Sequence, residues 1–388
     1  MSVDLGERLQ SVRKRRGLNQ RELAEASDVS LSLIRKIEQG DHYSVRLETL
    51  RKLAVGLRVR TSELQTGNDS EYADNDTVNL WESVRRALVG QTDSTPEEPA
   101  TVEGVEDAFN VLRPMMGTHH YRAIAAQLPD LLRDADTLEE EGRTIRARLL
   151  GMTGWMLTQN RQFDIAEDTL TRAIDTATDH LDAAGAANTL AWAYLRQGRI
   201  TEAERLAVYW ADRIEPRMSR ATTTELALWG RLWLYVANAA VRDNRPEYAD
   251  DALRLAQSAA AAIGREVLSD PATVRAYGPV SVAHVCAETY VLTGKPDRAL
   301  AIAARTPRNI IQPNGAGRLR HRLDVACAHT ELSQFGEAMN VMQQLHTDAP
   351  EWLSQQRYAR DIMGKIVLER RTLTAEMREL ADAIRLEY

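Results

Sequence analysis

Residues 19–40 read NQRELAEASDVSLSLIRKIEQG, with apolar side chains at Leu23, Ala24, Val29, Ile34 and Ile37. These intervals fit neither one continuous helix nor a strand; they fit two short helices that meet at a corner. Asn19 stands where an N-cap is needed, and Glu22, three residues on, completes a capping box. A helix from Gln20 to about Ser27 follows, too short to persist without packing. Ser30 caps a further helix that runs to about Gln39 and stops at Gly40. Upstream, residues 3–15 carry a helical apolar spacing (Leu5, Leu9, Val12) that ends before Gly17. The small Ala24 is expected where the two short helices cross, with Val29, Ile34 and Ile37 turned into the corner. That leaves Leu31, Ser32, Arg35 and Lys36 on the outer face of the second short helix.

A short helix crossed by another that exposes polar and basic groups is a helix-turn-helix with its recognition helix. The pattern resembles the lambda-repressor-like (XRE) family over residues 3–66. The likeness continues through SVRLETLRKLAVGL, a fourth helix capped by Ser44, and VRTSELQTG, a short fifth helix capped by Thr61. Asp28 departs from the glycine usual in the family's turn, and Asp tolerates the left-handed conformation better than most residues. Residues 40–47 are one longer than the commonest spacing. The resemblance implies that Gln20 bonds a backbone phosphate or braces the recognition helix, and that Ser30 contacts phosphate. It implies that Leu31, Ser32, Arg35 and Lys36 face the major groove, Lys36 suited to guanine and Leu31 to a thymine methyl. Arg46 would touch the backbone or minor groove. The expected partner is double-stranded DNA, bound by a homodimer at an inverted-repeat operator.

Charge agrees with a nucleic-acid contact confined to one end. Residues 1–66 hold 13 Lys and Arg against 9 Asp and Glu, a net +4; the rest hold 36 against 47, a net −11. At 388 residues the chain exceeds one ordinary core. Aromatics make up only 5%, and Ala, Leu, Arg and Glu dominate, so the expected fold is all-α. The two cysteines, Cys286 and Cys327, fall inside apolar helical patterns, and no apolar run approaches 18 residues. A cytoplasmic protein with reduced thiols and no membrane contact is expected.

Residues 67–103 read as a linker: acidic GNDSEYADND at 67–76, a helix VNLWESVRRALVG at 78–90, then QTDSTPEEPA at 91–100. Residues 104–388 form a series of helix pairs. In each, a small residue mid-way along one helix is followed twelve positions later by Ala in the next: Gly154 and Ala166, Ala191 and Ala203, Ala237 and Ala249, Ala287 and Ala299, Ala326 and Ala338. Antiparallel helices joined by a tight turn need small residues opposite one another, which accounts for the constant offset. The units resemble tetratricopeptide (TPR) repeats, with an insertion at REVLSDPATVRAYG. The resemblance implies a right-handed superhelix with a concave binding face.

Enzyme, cofactor and metal motifs are absent: there is no Walker loop, NGAGRLRH follows no strand, and His119 and His120 lack metal-ligand spacing. By TPR geometry the inner face carries Arg148, Trp155, Asn188, Trp192, Arg196, Arg231, Asn238, His284, Glu288, Arg320 and Asp324. Arg148, Arg231 and Arg320 each precede a small residue by six positions. Asparagine suits an extended peptide, since one carboxamide satisfies both N–H and C=O. Arginine suits carboxylate or another anion, and Trp155 with Trp192 suits an apolar floor.

Helix-turn-helix plus TPR superhelix is similar to the RRNPP-type peptide-sensing regulators of Gram-positive bacteria. The similarity implies a transcriptional regulator whose TPR domain binds a signalling peptide or small molecule. The competing expectation is an interaction protein whose TPR groove docks a protein partner. Because the two linkers cannot transmit strain, coupling is expected to run through the dimer interface.

Overall fold

The structure, a computed structural model, describes residues 5–40, 45–65, 75–91, 99–117, 120–307, 315–369 and 373–386. Ser44, His119 and most of the two linkers lie outside the described residues. The head consists of α1 (Leu5–Arg15), α2 (Gln20–Ser27), α3 (Leu31–Glu38), α4 (Leu47–Leu57) and a 3-10 turn at Thr61–Glu63. Both halves of the Asn19–Glu22 capping box form, and Asp28 ends α2 in the left-handed conformation at φ 52°. Leu9, Leu23, Ile34 and Leu53 are fully buried in its core.

Ala24 is partly buried and packs on this core, while the tight approaches of α1 to α3 and of α4 to α2 fall on glycines. A Cβ on Gly6 would lie 2.3 Å from the Ile37 carbonyl oxygen, and one on Gly56 would lie 2.9 Å from Ser27 Cβ. The fifth helix is a single 3-10 turn, and Thr61 does not cap it: Glu63 accepts from the Arg60 N–H, freeing the Thr61 hydroxyl.

The body begins with α5 (Asn75–Leu88), α6 (Val102–Met115) and α7 (Tyr121–Thr137). Trp81, Val84 and Leu88 of α5 share one core with Phe109, Leu128 and Trp155, so this helix packs on the body. Pairs follow in order: α8 (Arg143–Gln159) with α9 (Phe163–Thr176), α10 (His180–Arg196) with α11 (Ile200–Arg213), and α12 (Thr223–Arg242) with α13 (Pro246–Ile263). The next are α14 (Pro279–Leu292) with α15 (Pro296–Arg305) and α16 (Gly315–Glu331) with α17 (Phe335–Asp348). A closing group, α18 (Pro350–Ser354), α19 (Arg357–Leu368) and α20 (Ala375–Ala383), packs its Trp352, Ile362 and Leu380 against α16 and α17.

Every residue of the twelve-position register is buried. Ala166, Ala191, Ala203, Ala237, Ala249, Ala326 and Ala338 have no exposure, and Leu170 fills the space beside Gly154. Each pair also turns through a left-handed residue seven positions after its small residue: Arg161, Gly198, Asn244, Gly294 and Ser333. Only two of these are glycine, so the turn is hidden in three copies although its geometry repeats in all five.

The insertion between α13 and α14 folds into a hairpin of two-residue strands, β1 (Val267–Leu268) and β2 (Ala276–Tyr277), paired antiparallel. Tyr277 is fully buried, donates a 2.5 Å hydrogen bond to the Ala256 carbonyl, and lies over Gly230 of α12. The loop residues Asp270 and Ala272 lie against Gly185 and Gly151. The hairpin thus crosses the inner faces of α8, α10 and α12, and glycine is what admits it.

Candidate nucleic-acid interface and ligand cavity

On α3, Ser32, Arg35 and Lys36 are exposed and Leu31 is half-buried, while Ile34 and Ile37 anchor the helix to the core. Ser30 Oγ accepts from the Leu33 N–H at 3.3 Å, capping the helix. Gln20 is half-buried and donates to Glu38 at 2.8 Å. Of its two expected roles, this geometry is that of a brace. Arg13 grips the same carboxylate with two hydrogen bonds of 2.6 and 2.7 Å, tying α1, α2 and the end of α3 together. Burial alone would raise the Glu38 pKa, but the hydrogen bonds from Arg13 and Gln20 hold it below the usual carboxylate value.

The head rests on the turns of the body. Thr61 Oγ1 donates to the Arg242 carbonyl at 2.7 Å, and the Ser62 N–H donates to Asp243 at 2.9 Å. Asn244 donates to the Val59 carbonyl at 3.2 Å, and Gln65 donates to the Gly198 carbonyl at 2.7 Å. On the other side, exposed Arg46 pairs with Asp361 of α19 at 2.9 Å, and Glu48 lies 3.6 Å from Lys365. Head and body are thus joined by direct contacts within one chain, in addition to the linker.

Inside the body, nine of the eleven inner-face residues line one cavity of about 410 Å³: Trp155, Trp192, Arg196, Arg231, Asn238, His284, Glu288, Arg320 and Asp324. Trp155 and Trp192 form its floor, with ring centroids 6.1 Å apart. The hairpin contributes Arg275 and Ala276 to its lining, and the closing group of helices contributes Trp352 and Tyr358.

Arg148 and Asn188 are not among the lining residues. Arg148 pairs with Asp182 at 3.1 Å, at the end where Ala272 and Thr273 cover the inner face. Asn188 is fully buried, and its carboxamide finds no hydrogen-bond partner among the described residues. Asn238, the other asparagine, accepts from Arg242 at 3.2 Å. A two-asparagine clasp on a peptide backbone is therefore not formed in this arrangement.

Seven arginines line the cavity (Arg161, Arg196, Arg231, Arg242, Arg275, Arg320 and Arg357) against two carboxylates, Glu288 and Asp324. Glu288 holds Arg242 at 2.6 Å and Arg320 at 3.3 Å, which keeps it ionised against the cost of burial. Asp324 is in the opposite state: burial, and then the Glu288 charge, push its pKa up to about 8. His284 and His321 stack 4.1 Å apart, and burial lowers their pKa values to about 3 and about 4, so both are neutral.

Arg242, Arg275, His321, Gln159 and Tyr358 escaped the sequence reading. Arg242 ends α12, beyond the inward stripe counted from Ala237. Gln159 follows Trp155 by one helical turn and could have been found from that spacing. Arg275 lies in the aperiodic insertion, where its only signal is a lone charge in TVRAY. It is buried, donating to Tyr235 at 3.1 Å and to Thr189 at 2.8 Å.

Residues 9–64 match the helix-turn-helix family, so the head is a helix-turn-helix domain of the XRE type. No curated protein matches the chain. Among solved structures, the chain is similar to the nearly identical TPR-like repeats of a Podospora anserina putative kinesin light chain, solved as a single-substitution variant. Identity there is 18%, over 52% of this chain and 94% of that one, with a TM-score of 0.35. It is also similar to Bacillus thuringiensis PlcR in complex with the peptide PapR7 and DNA. Identity is 13%, over 89% of this chain and 99% of that one, with a TM-score of 0.34.

Proposed function

We propose that this chain is a sequence-specific transcriptional regulator of the cytoplasm, binding an inverted-repeat operator as a homodimer. Its helical body takes a signalling peptide or small molecule into the cavity, and occupancy shifts DNA affinity. One residue carries the reading: Arg242 presents its carbonyl to Thr61 of the head and its guanidinium to Glu288 in the cavity. A ligand that competes for that guanidinium acts on a residue that also seats the head. Ser32, Arg35 and Lys36 stand exposed on α3 as base-reading groups. Each head reads only a few base pairs, so two half-sites about 10 base pairs apart, or a multiple, supply useful specificity.

Docking of a whole protein partner is the competing reading; a cavity of about 410 Å³ favours a small guest. The experiment is selection of an operator from random duplexes, then fluorescence anisotropy of the full chain with and without extract of its host. A selected palindrome whose affinity shifts with a low-molecular-mass fraction supports the proposal. No selectable sequence, or an affinity indifferent to every fraction, defeats it.

A further inference from the structure

The cavity's cations are not spread evenly. At the hairpin end, Arg231 and Arg275 both donate to the Tyr235 hydroxyl, at 3.2 and 3.1 Å. Arg231 also donates to the Ala276 carbonyl, and the Nε atoms of both guanidiniums are buried without partners among the described residues. The nearest carboxylate to Arg275 is Asp270 at 3.9 Å, and Arg231 has none within ion-pairing reach among the described residues.

At the other end stands Arg196. It lies over the Trp192 ring at 5.4 Å and donates weakly to Gln159 at 3.4 Å. Burial, then the like charges of Arg161 and Arg320, lower its pKa to about 9. Two like-charged groups held together away from water cost free energy until a counter-ion arrives.

Helix α10 sets the scale of the separation along its backbone. Arg275 is bonded to Thr189, and Arg196 lies seven residues further along the same helix α10. Seven residues at helical rise is about 10 Å. Trp192 sits between them, with Trp155 against it.

From this geometry we infer that the cavity binds a dianionic ligand, with two carboxylates or equivalent acidic groups about 10 Å apart on an apolar spacer. One acidic group lies against Arg231 and Arg275, the other against Arg196, and the spacer crosses the two tryptophans. The inference rests on reading the cavity as a ligand site and adds the ligand's charge and span.

Linear dicarboxylates from succinate to dodecanedioate, titrated calorimetrically into the full chain, provide the test. Azelate, whose carboxylates span that distance when extended, should bind at least roughly tenfold tighter than succinate, than the monoacid nonanoate, or than neutral azelamide. Arg196→Gln and Arg231→Gln should each reduce azelate to about the affinity that nonanoate has for the natural chain. Arg196→Lys should retain part of the preference, and thermal unfolding by circular dichroism shows which variants remain folded. Absence of azelate binding, equal binding of azelamide, or no chain-length optimum overturns the inference. Its failure is separable from that of the regulatory reading. Azelate binding without any change in operator affinity defeats only the sensor role. An operator response to a neutral host compound, with no dianion binding, defeats only this one.

Discussion

Thr61 of the head and Arg242 of the body share a 2.7 Å hydrogen bond, so a cavity-lining residue also touches the DNA-binding domain. The Arg242 side chain is committed elsewhere, to Glu288 and Asn238. Its backbone and its guanidinium therefore sense different parts of the molecule.

Thr61→Val with Asp243→Asn should loosen the head from the body without touching the cavity. Allosteric coupling is typically about 1–3 kcal/mol, a shift of roughly 5–150-fold in affinity. In the double variant that shift should collapse towards unity while ligand affinity is retained. Anisotropy against the selected operator, paired with calorimetry on the ligand, checks both halves. A full response in the double variant sends the coupling through another route.

Base readout and backbone contact should separate on the head. Ser32→Ala and Lys36→Ala each remove about 1–3 kcal/mol of discrimination if the contact is a good one. Arg46→Ala should weaken operator and scrambled duplex alike and lower the salt slope by about 1. It also releases Asp361, so its effect on melting temperature should be small, as expected of an exposed pair. Gln20→Ala acts through Glu38 and the seating of α3, and should reduce both kinds of binding together with head stability.

Asp324 gives the stability a pH dependence. Its folded pKa of about 8 lies above the ordinary carboxylate value, with Glu288, Arg320, Arg242 and Tyr358 around it. A carboxyl so raised stabilises the fold fully below its unfolded pKa, and that contribution is lost as pH rises through the folded value. Urea midpoints of the natural protein should therefore fall between about pH 4 and pH 8 more steeply than those of Asp324→Asn. Parallel profiles would show that Asp324 ionises normally.

Gly230→Ala should expel the hairpin. The added Cβ would lie 2.0 Å from the Tyr277 hydroxyl, a clash that neither α12 nor the buried ring relieves without moving. Overpacking of this kind costs about 1–3 kcal/mol. Hydrogen exchange at residues 267–277 should accelerate, and ligand affinity should fall as the cavity opens on that side. A variant with unchanged exchange would mean that the hairpin is held by Arg275 and Glu266 instead.

Periodicity determined what local chemistry determines. The capping box at Asn19, the burial of Ile34 and Ile37 and the twelve-residue register from Gly154 to Ala338 were all legible, because each depends on residues a few positions apart. So were nine of the lining residues, since a helix face repeats along the chain. Tertiary structure alone decided the rest. Arg148 and Asn188 share the stripe of the lining residues, but the hairpin lies across the end where Arg148 sits, and an insertion's path is set by which distant glycines admit it. Arg275 enters the site from that same aperiodic segment. The head's seat on Gly198, Arg242 and Asp243 joins residues more than a hundred positions apart. Hydrogen bonds of that reach leave no spacing in a sequence; only the folded chain brings their donors and acceptors together.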